Sequence, residues 1–140
     1  MCIRDSSKAT NFDATERALS SFKSIYWIAG GLSKNDRITK SFLKKLENVE
    51  HAFFIGSSEN EFFDFFKDST PCTKCSNLEI AVKRAASAAC SEKKENPVVL
   101  LSPAAASFDQ FESYEARGEQ FKSIVGSLKL EKFSNLEITT

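Results

Sequence analysis

VVLLSPAAASFDQFESYEARGEQF, running from Val98 to Phe121, is the stretch on which the fold turns. Val98 to Leu101 is short, β-branched at its start and bounded by Pro97 and Pro103, which reads as a buried strand of the parallel-sheet kind. Ser102 to Ser107 then sits at the carboxyl end of that strand. Open α/β sheets bind ligands at that edge, because the loops leaving it meet helix N-termini that carry free N–H groups and a positive dipole end. The small side chains of this segment leave room for a ligand.

Outward from this stretch, strand and helix signals alternate. Asp13-Ala-Thr-Glu16 has the form of a helix cap with its reciprocal acid three residues on, and Ala14, Ala18, Leu19 and Phe22 follow on one face, so a first helix is predicted over about 13–24. Ile25 to Ala29 is a β-branched and aromatic run closed by Gly30-Gly31, a strand ending in a loop whose backbone can approach a ligand. Ile38, Phe42, Leu43 and Leu46 mark the next helix, His51 to Gly56 a strand, and Glu59 to Lys67 a Phe-rich helix. Leu78, Ala81, Val82, Ala85 and Ala89 give another amphipathic helix, and Glu119 to Leu128 closes the series. This alternation predicts an α/β fold, a Rossmann-like doubly wound and mainly parallel sheet.

Composition limits the function. A chain of 140 residues with 41% apolar content is one ordinary domain with enough material for a core. Lys plus Arg equals Asp plus Glu at 19 each, and no basic face stands out, so nucleic acid is not an expected partner. No apolar run approaches a membrane span, and Met1 to Thr10 lacks the apolar core of a signal peptide, so a cytoplasmic location and no membrane partner are expected.

Cys72 and Cys75 form a C-x-x-C. Structural zinc requires four ligands, and beyond this pair only Cys2, Cys90 and the lone His51 remain, none at a partner spacing. No metal site is expected, and the cysteines are read as reduced and structural. A thioredoxin-like dithiol would open a helix after a strand, whereas this pair lies in a polar stretch. Phe62, Phe63, Phe65 and Phe66 read as helical core, with one or two partly exposed because one face cannot bury all four. His51 reads as a surface or hydrogen-bonded residue rather than a catalytic base.

The residues alone point to one place, the carboxyl ends of the first and last confident strands. There Gly30, Gly31 and Lys34 face Ser102, Ser107 and the helix that follows. A cation, hydroxyls and free N–H groups suit an anion, and carboxylate and phosphate fit equally well. The competing reading makes Lys34 a solvated turn lysine and both serines caps.

SKATN at Ser7 to Asn11, WIAGGLSK at Trp27 to Lys34 and LLSPAAASFDQFESYEARGEQF at Leu100 to Phe121 together resemble the Mur ligases, specifically the C-terminal domain of their D-glutamate-adding branch. The likeness runs from about 6 to 128, with 1–5 read as junction residues and 129–140 as a tail of unassigned role. What it implies is one part of a three-domain, ATP-dependent amide-bond-forming ligase of peptidoglycan precursor synthesis. In such an enzyme the carboxylate of UDP-N-acetylmuramoyl-L-alanine becomes an acyl phosphate, which the amine of D-glutamate then attacks. ATP and Mg2+ would be held mainly by a central domain, since no G-x-x-x-x-G-K-[ST] occurs in this chain, and the fragment is expected to be inactive alone. The N-terminal and central domains would be its partners.

Carried over by motif, Thr10 and Lys34 would hold one carboxylate of D-glutamate. Ser107, with backbone N–H groups near Phe108 and Tyr114, would hold the other, and Lys8 would face the nucleotide side. No catalytic residue is assigned. The pattern departs from the family at its start, where Ser6 occupies the position of an expected acid and Asp5 is displaced by one residue. Two alternatives stand beside this reading. One is a stand-alone Rossmann-like binding or interaction module, although no G-x-G-x-x-G follows the first strand. The other is the same domain from a Mur ligase that adds a different amino acid.

Overall fold

Every described strand pairs in parallel in a single six-stranded sheet of order β4-β3-β2-β5-β1-β6. The computed structural model describes residues 2–6, 11–31, 38–104, 111–131 and 137–139, with side chains as far as Leu128. The elements are β1 (Cys2–Asp5), α1 (Phe12–Leu19), β2 (Ile25–Gly30), α2 (Lys40–Lys45) with a 3-10 turn (Leu46–Asn48), β3 (Val49–Ile55), α3 (Glu59–Phe66), β4 (Cys72–Ser76), α4 (Leu78–Ser91), β5 (Val98–Leu101), α5 (Tyr114–Glu131) and β6 (Glu137–Thr139).

Both faces of the sheet are covered. Alternate residues of β2 and β5 feed two separate cores, as the two-residue period of a strand requires. Tyr26, Ile28, Val99 and Leu101 pack with α4 and α5 through Leu78, Val82, Ala85, Phe121 and Val125. Ile25, Trp27, Val98 and Leu100 pack with α1, α2 and α3 through Phe12, Leu19, Phe42, Phe62 and Phe66. All four residues of β5 are buried, and it lies between β1 and β2. That position explains why the strand reads as a continuous apolar run rather than an alternating one. The doubly wound expectation is met.

Several boundaries differ from the sequence reading. The cap of α1 is Asn11, whose side chain accepts from the Ala14 N–H, so the helix starts ahead of the predicted Asp13 box and ends at Leu19. Its buried residues are Phe12, Thr15 and Leu19. Cys72–Ser76, read as a polar stretch, is an edge strand; backbone pairing with β3 overrides its low apolar content. Helix α5 begins at Tyr114, five residues before the predicted Glu119 start. Two segments outside the expected fold belong to the sheet. Cys2–Asp5 pairs with β5 and buries Ile3, and Glu137–Thr139, from the segment read as a tail, pairs with β1.

Of the helical phenylalanines, Phe62 and Phe66 are buried and Phe65 is 45% exposed, as one face of a helix dictates.

Candidate functional site

Three adjacent strands, β1, β5 and β2, end side by side at the carboxyl edge of the sheet. Helices α1 and α2, which follow β1 and β2, pack on one face, and α5, which follows β5, packs on the other. Between helices that leave on opposite faces the edge opens, which is the geometry by which doubly wound sheets form a ligand crevice. The chain leaves this edge at Ser6, Gly31 and Ala104 and re-enters described structure at Asn11, Ile38 and Phe111.

Hydrogen bonds fix these exits to one another. The Ser6 N–H donates to Leu101 O at 2.7 Å, Ser102 N–H to Ile28 O at 3.1 Å and Gly30 N–H to Pro103 O at 2.8 Å. Gly31 N–H donates to the Ser58 hydroxyl at 3.0 Å, while the Ser57 hydroxyl and the Ser58 N–H both donate to Gly31 O. Gly30 and Gly31 have φ of 122° and 139°, which L side chains rarely adopt. The glycine pair is therefore a backbone requirement of this turn.

Ser102, considered above as an anion ligand, is fully buried and faces inward. Its hydroxyl donates to Thr15 Oγ1 at 3.1 Å, Thr15 Oγ1 donates back to Ser102 O at 3.5 Å, and Trp27 Nε1 donates to the same carbonyl at 2.8 Å. The serine is committed to the protein interior, so its place at the edge is structural. Thr15 and Trp27 had no signal of a polar role in the sequence, because one reads as an ordinary helix residue and the other as strand core.

Of the proposed D-glutamate residues, Tyr114 is described. It opens α5, 36% exposed, and the neighbouring Glu115 carboxylate raises its phenol pKa through a hydrogen bond. Thr10, Lys34, Ser107, Phe108 and the nucleotide-side Lys8 lie outside the described residues. In the sequence they fall between Ser6 and Asn11, between Gly31 and Ile38, and between Ala104 and Phe111. One turn along α5 from Tyr114, Arg117 is fully buried at the head of the face formed by Phe121, Val125 and Leu128.

The C-x-x-C does not form a site. Three residues apart on a strand, Cys75 enters the core beneath α4 and Cys72 packs on the opposite side of the sheet. Burial pushes both thiols up to about 11. Among the described residues no three of His, Cys, Asp and Glu converge to hold a metal ion. His51 Nε2 lies 2.7 Å from Thr73 Oγ1 and its ring stacks on Phe53, at the amino end of β3. It is a hydrogen-bonded strand residue remote from the crevice.

No family model matches the chain. Among curated proteins it is 43% identical over 119 residues, 85% of its length, to a UDP-N-acetylmuramoylalanine--D-glutamate ligase of Paramagnetospirillum magneticum. It is 44% identical over 122 residues to one of Rhodopseudomonas palustris and 43% identical over 123 residues to one of Agrobacterium fabrum, covering 87% and 88% of this chain. In each case it spans 26% of the relative's length.

Proposed function

This chain belongs to the Mur ligase family, as a homologue of the C-terminal domain of UDP-N-acetylmuramoylalanine--D-glutamate ligases, and from that premise we propose that it is the amino-acid-binding domain of such an enzyme. Its task is to hold D-glutamate while the amine attacks the activated carboxyl group of UDP-N-acetylmuramoyl-L-alanine. The observation that carries the reading is the convergence of the exits from β1, β5 and β2 at one crevice. Those exits lead into the three intervals that contain Thr10, Ser107 and Lys34.

Thr10 and Lys34 are assigned one carboxylate of D-glutamate, and Ser107 with N–H groups near Phe108 and Tyr114 the other. A lysine charge and hydroxyl donors suit carboxylates, and two anchor points on separate strands fix the direction of the amine between them. Orientation of this kind is worth several kcal/mol, on the order of 7 or more when the reacting groups are well aligned. The sequence has no G-x-x-x-x-G-K-[ST], and among the described residues no three of His, Cys, Asp and Glu could hold a metal ion. ATP supplies activation of the carboxyl group, and we assign its binding to parts of the enzyme other than this chain, with Lys8 facing them. The cytoplasm, where nucleotide-linked precursors and ATP are found together, is the proposed location, and no helix described is long and apolar enough to cross a membrane.

Sequencing the genomic locus upstream of the Met1 codon, then assaying the complete product, tests the proposal. A frame that continues into a P-loop domain, with a product that consumes ATP in the presence of D-glutamate and UDP-N-acetylmuramoyl-L-alanine, is expected. A stop codon just before Met1 overturns it in favour of a stand-alone module. Turnover with L-lysine or diaminopimelate in place of D-glutamate overturns the substrate assignment alone.

A further inference from the structure

We propose that Glu59 and Lys74 form an inhibitory clip on the edge strand β4, which keeps it from pairing with β4 of a second copy of this chain.

β4 is the outermost strand on its side of the sheet, and among the described residues no strand covers its outer edge. Alternate backbone N–H and C=O groups therefore face away from β3, and such an edge is a ready template for another strand. The sequence of β4, CTKCS, contains no proline and a single charge. Whatever blocks pairing has to come from the local geometry and from that charge.

At the carboxyl end of β4 the ladder is already closed. The Ser76 N–H donates to Glu59 Oε2 at 2.7 Å, so a side chain from the start of α3 occupies the donor that ends the edge. Ser76 has φ of 66°, outside the extended range that a ladder requires. The register against β3 also shifts between Phe54 and Ile55. Regular edge is left only in the residues before Ser76.

Lys74 guards that remainder. It is the middle residue of the five-residue strand, so two copies of β4 paired antiparallel about a two-fold axis would set Lys74 against Lys74. Like charges directly opposite each other across a strand pair are destabilising. A free lysine would bend aside, but here Nζ donates to Asn60 Oδ1 at 3.1 Å and lies 5.3 Å from the centroid of the Phe63 ring. Both contacts come from α3, and they hold the ammonium over the strand where a second copy would meet it.

Sedimentation of the full-length protein over a concentration series, with amide hydrogen exchange on β4, tests this. Wild type is expected to keep the monomer mass. Glu59→Ala with Lys74→Thr is expected to reach the mass of a dimer, with exchange in β4 slowed roughly tenfold or more as the dimer forms. Glu59→Ala with Lys74→Glu loses the same contacts with α3 but keeps a like charge at the centre. It is expected to stay monomeric alone and to dimerise when mixed with Glu59→Ala, where Lys74 meets the introduced acid. A merely structural role would give the threonine and glutamate variants the same mass, which would overturn the proposal. So would a threonine variant that remains monomeric, a dimer that leaves β4 unprotected, or a wild type that associates through β4. Tyr26→Phe, which weakens the domain away from β4, is the control for stability, and equal association in it would also overturn the clip. Should the double variants fail to fold, Lys74→Thr and Lys74→Glu alone, at an exposed position, give the same comparison.

Discussion

Gly30 and Ile55 face each other across β2 and β3 so closely that a Cβ on Gly30 would stand 2.1 Å from the Ile55 carbonyl oxygen. The obstacle is backbone, which cannot rotate away, and φ at Gly30 is +122°. Gly30→Ala is therefore expected to destabilise the domain by about 3 kcal/mol or more. Gly126, helical and with nothing within 4 Å of the same position, should respond in the opposite sense, Gly126→Ala gaining about 0.5–1 kcal/mol. Urea unfolding of the two variants checks this, and equal shifts would refute it.

Thiol reactivity follows burial. Cys90 is exposed, whereas Cys72 and Cys75 have pKa values raised to about 11 by burial. In the native protein near pH 8 a thiol-specific reagent is expected to label Cys90 well before either member of the C-x-x-C. Mass-spectrometric mapping of the labelled sites, with urea-unfolded protein as the reference, measures the order. Rapid joint labelling of Cys72 and Cys75 would contradict the packing of Cys75 in the core and of Cys72 against the opposite side of the sheet.

His51 gives the domain an acid-sensitive contribution. Burial lowers its pKa below the ordinary 6.5, against a smaller opposing pull from Glu92. As pH falls through 6.5 the unfolded chain takes up a proton before the folded one does, so stability drops on the acid side and the contribution vanishes above that value. His51→Gln is expected to flatten the dependence of the urea midpoint between about pH 5 and 7. An unchanged slope would remove His51 as its source.

The Tyr26 hydroxyl donates to Glu92 Oε2 at 2.7 Å, joining the end of α4 to β2. Tyr26→Phe leaves an exposed carboxylate that water can solvate, so a loss of only about 1 kcal/mol is expected. Thermal or urea unfolding measures it. A loss several times larger would mean that Glu92 is not relieved by solvent.

Ser107→Ala in the complete enzyme is expected to raise the apparent D-glutamate KM by the loss of one hydrogen bond to a carboxylate, roughly 1.5–3 kcal/mol, while ATP use changes little. An unaltered D-glutamate KM would remove Ser107 from the site.

Legibility in the sequence followed burial. Val98–Leu101 and Ile25–Ala29 announce themselves as strands because both faces are covered and every side chain is apolar. Cys72–Ser76 gave no such signal, since an edge strand with one buried residue is held by backbone pairing that composition does not encode. The first helix was legible but its cap was not, because Asn11 and Asp13 are both competent caps and only packing of Phe12 and Thr15 chooses between them. Motif resemblance alone singled out Thr10, Lys34 and Ser107, which lie outside the described residues.

By itself the sequence determined the class of fold and the family to which the chain belongs, because periodicity and motif order are local properties. Tertiary structure alone decided the strand order, the inclusion of Cys2–Asp5 and Glu137–Thr139 in the sheet, and the inward commitment of Ser102 to Thr15 and Trp27. The physical reason is that strand pairing and buried hydroxyl contacts join residues up to 87 positions apart. Whether a serine caps, binds a ligand or bonds across the core depends on neighbours that only folding supplies.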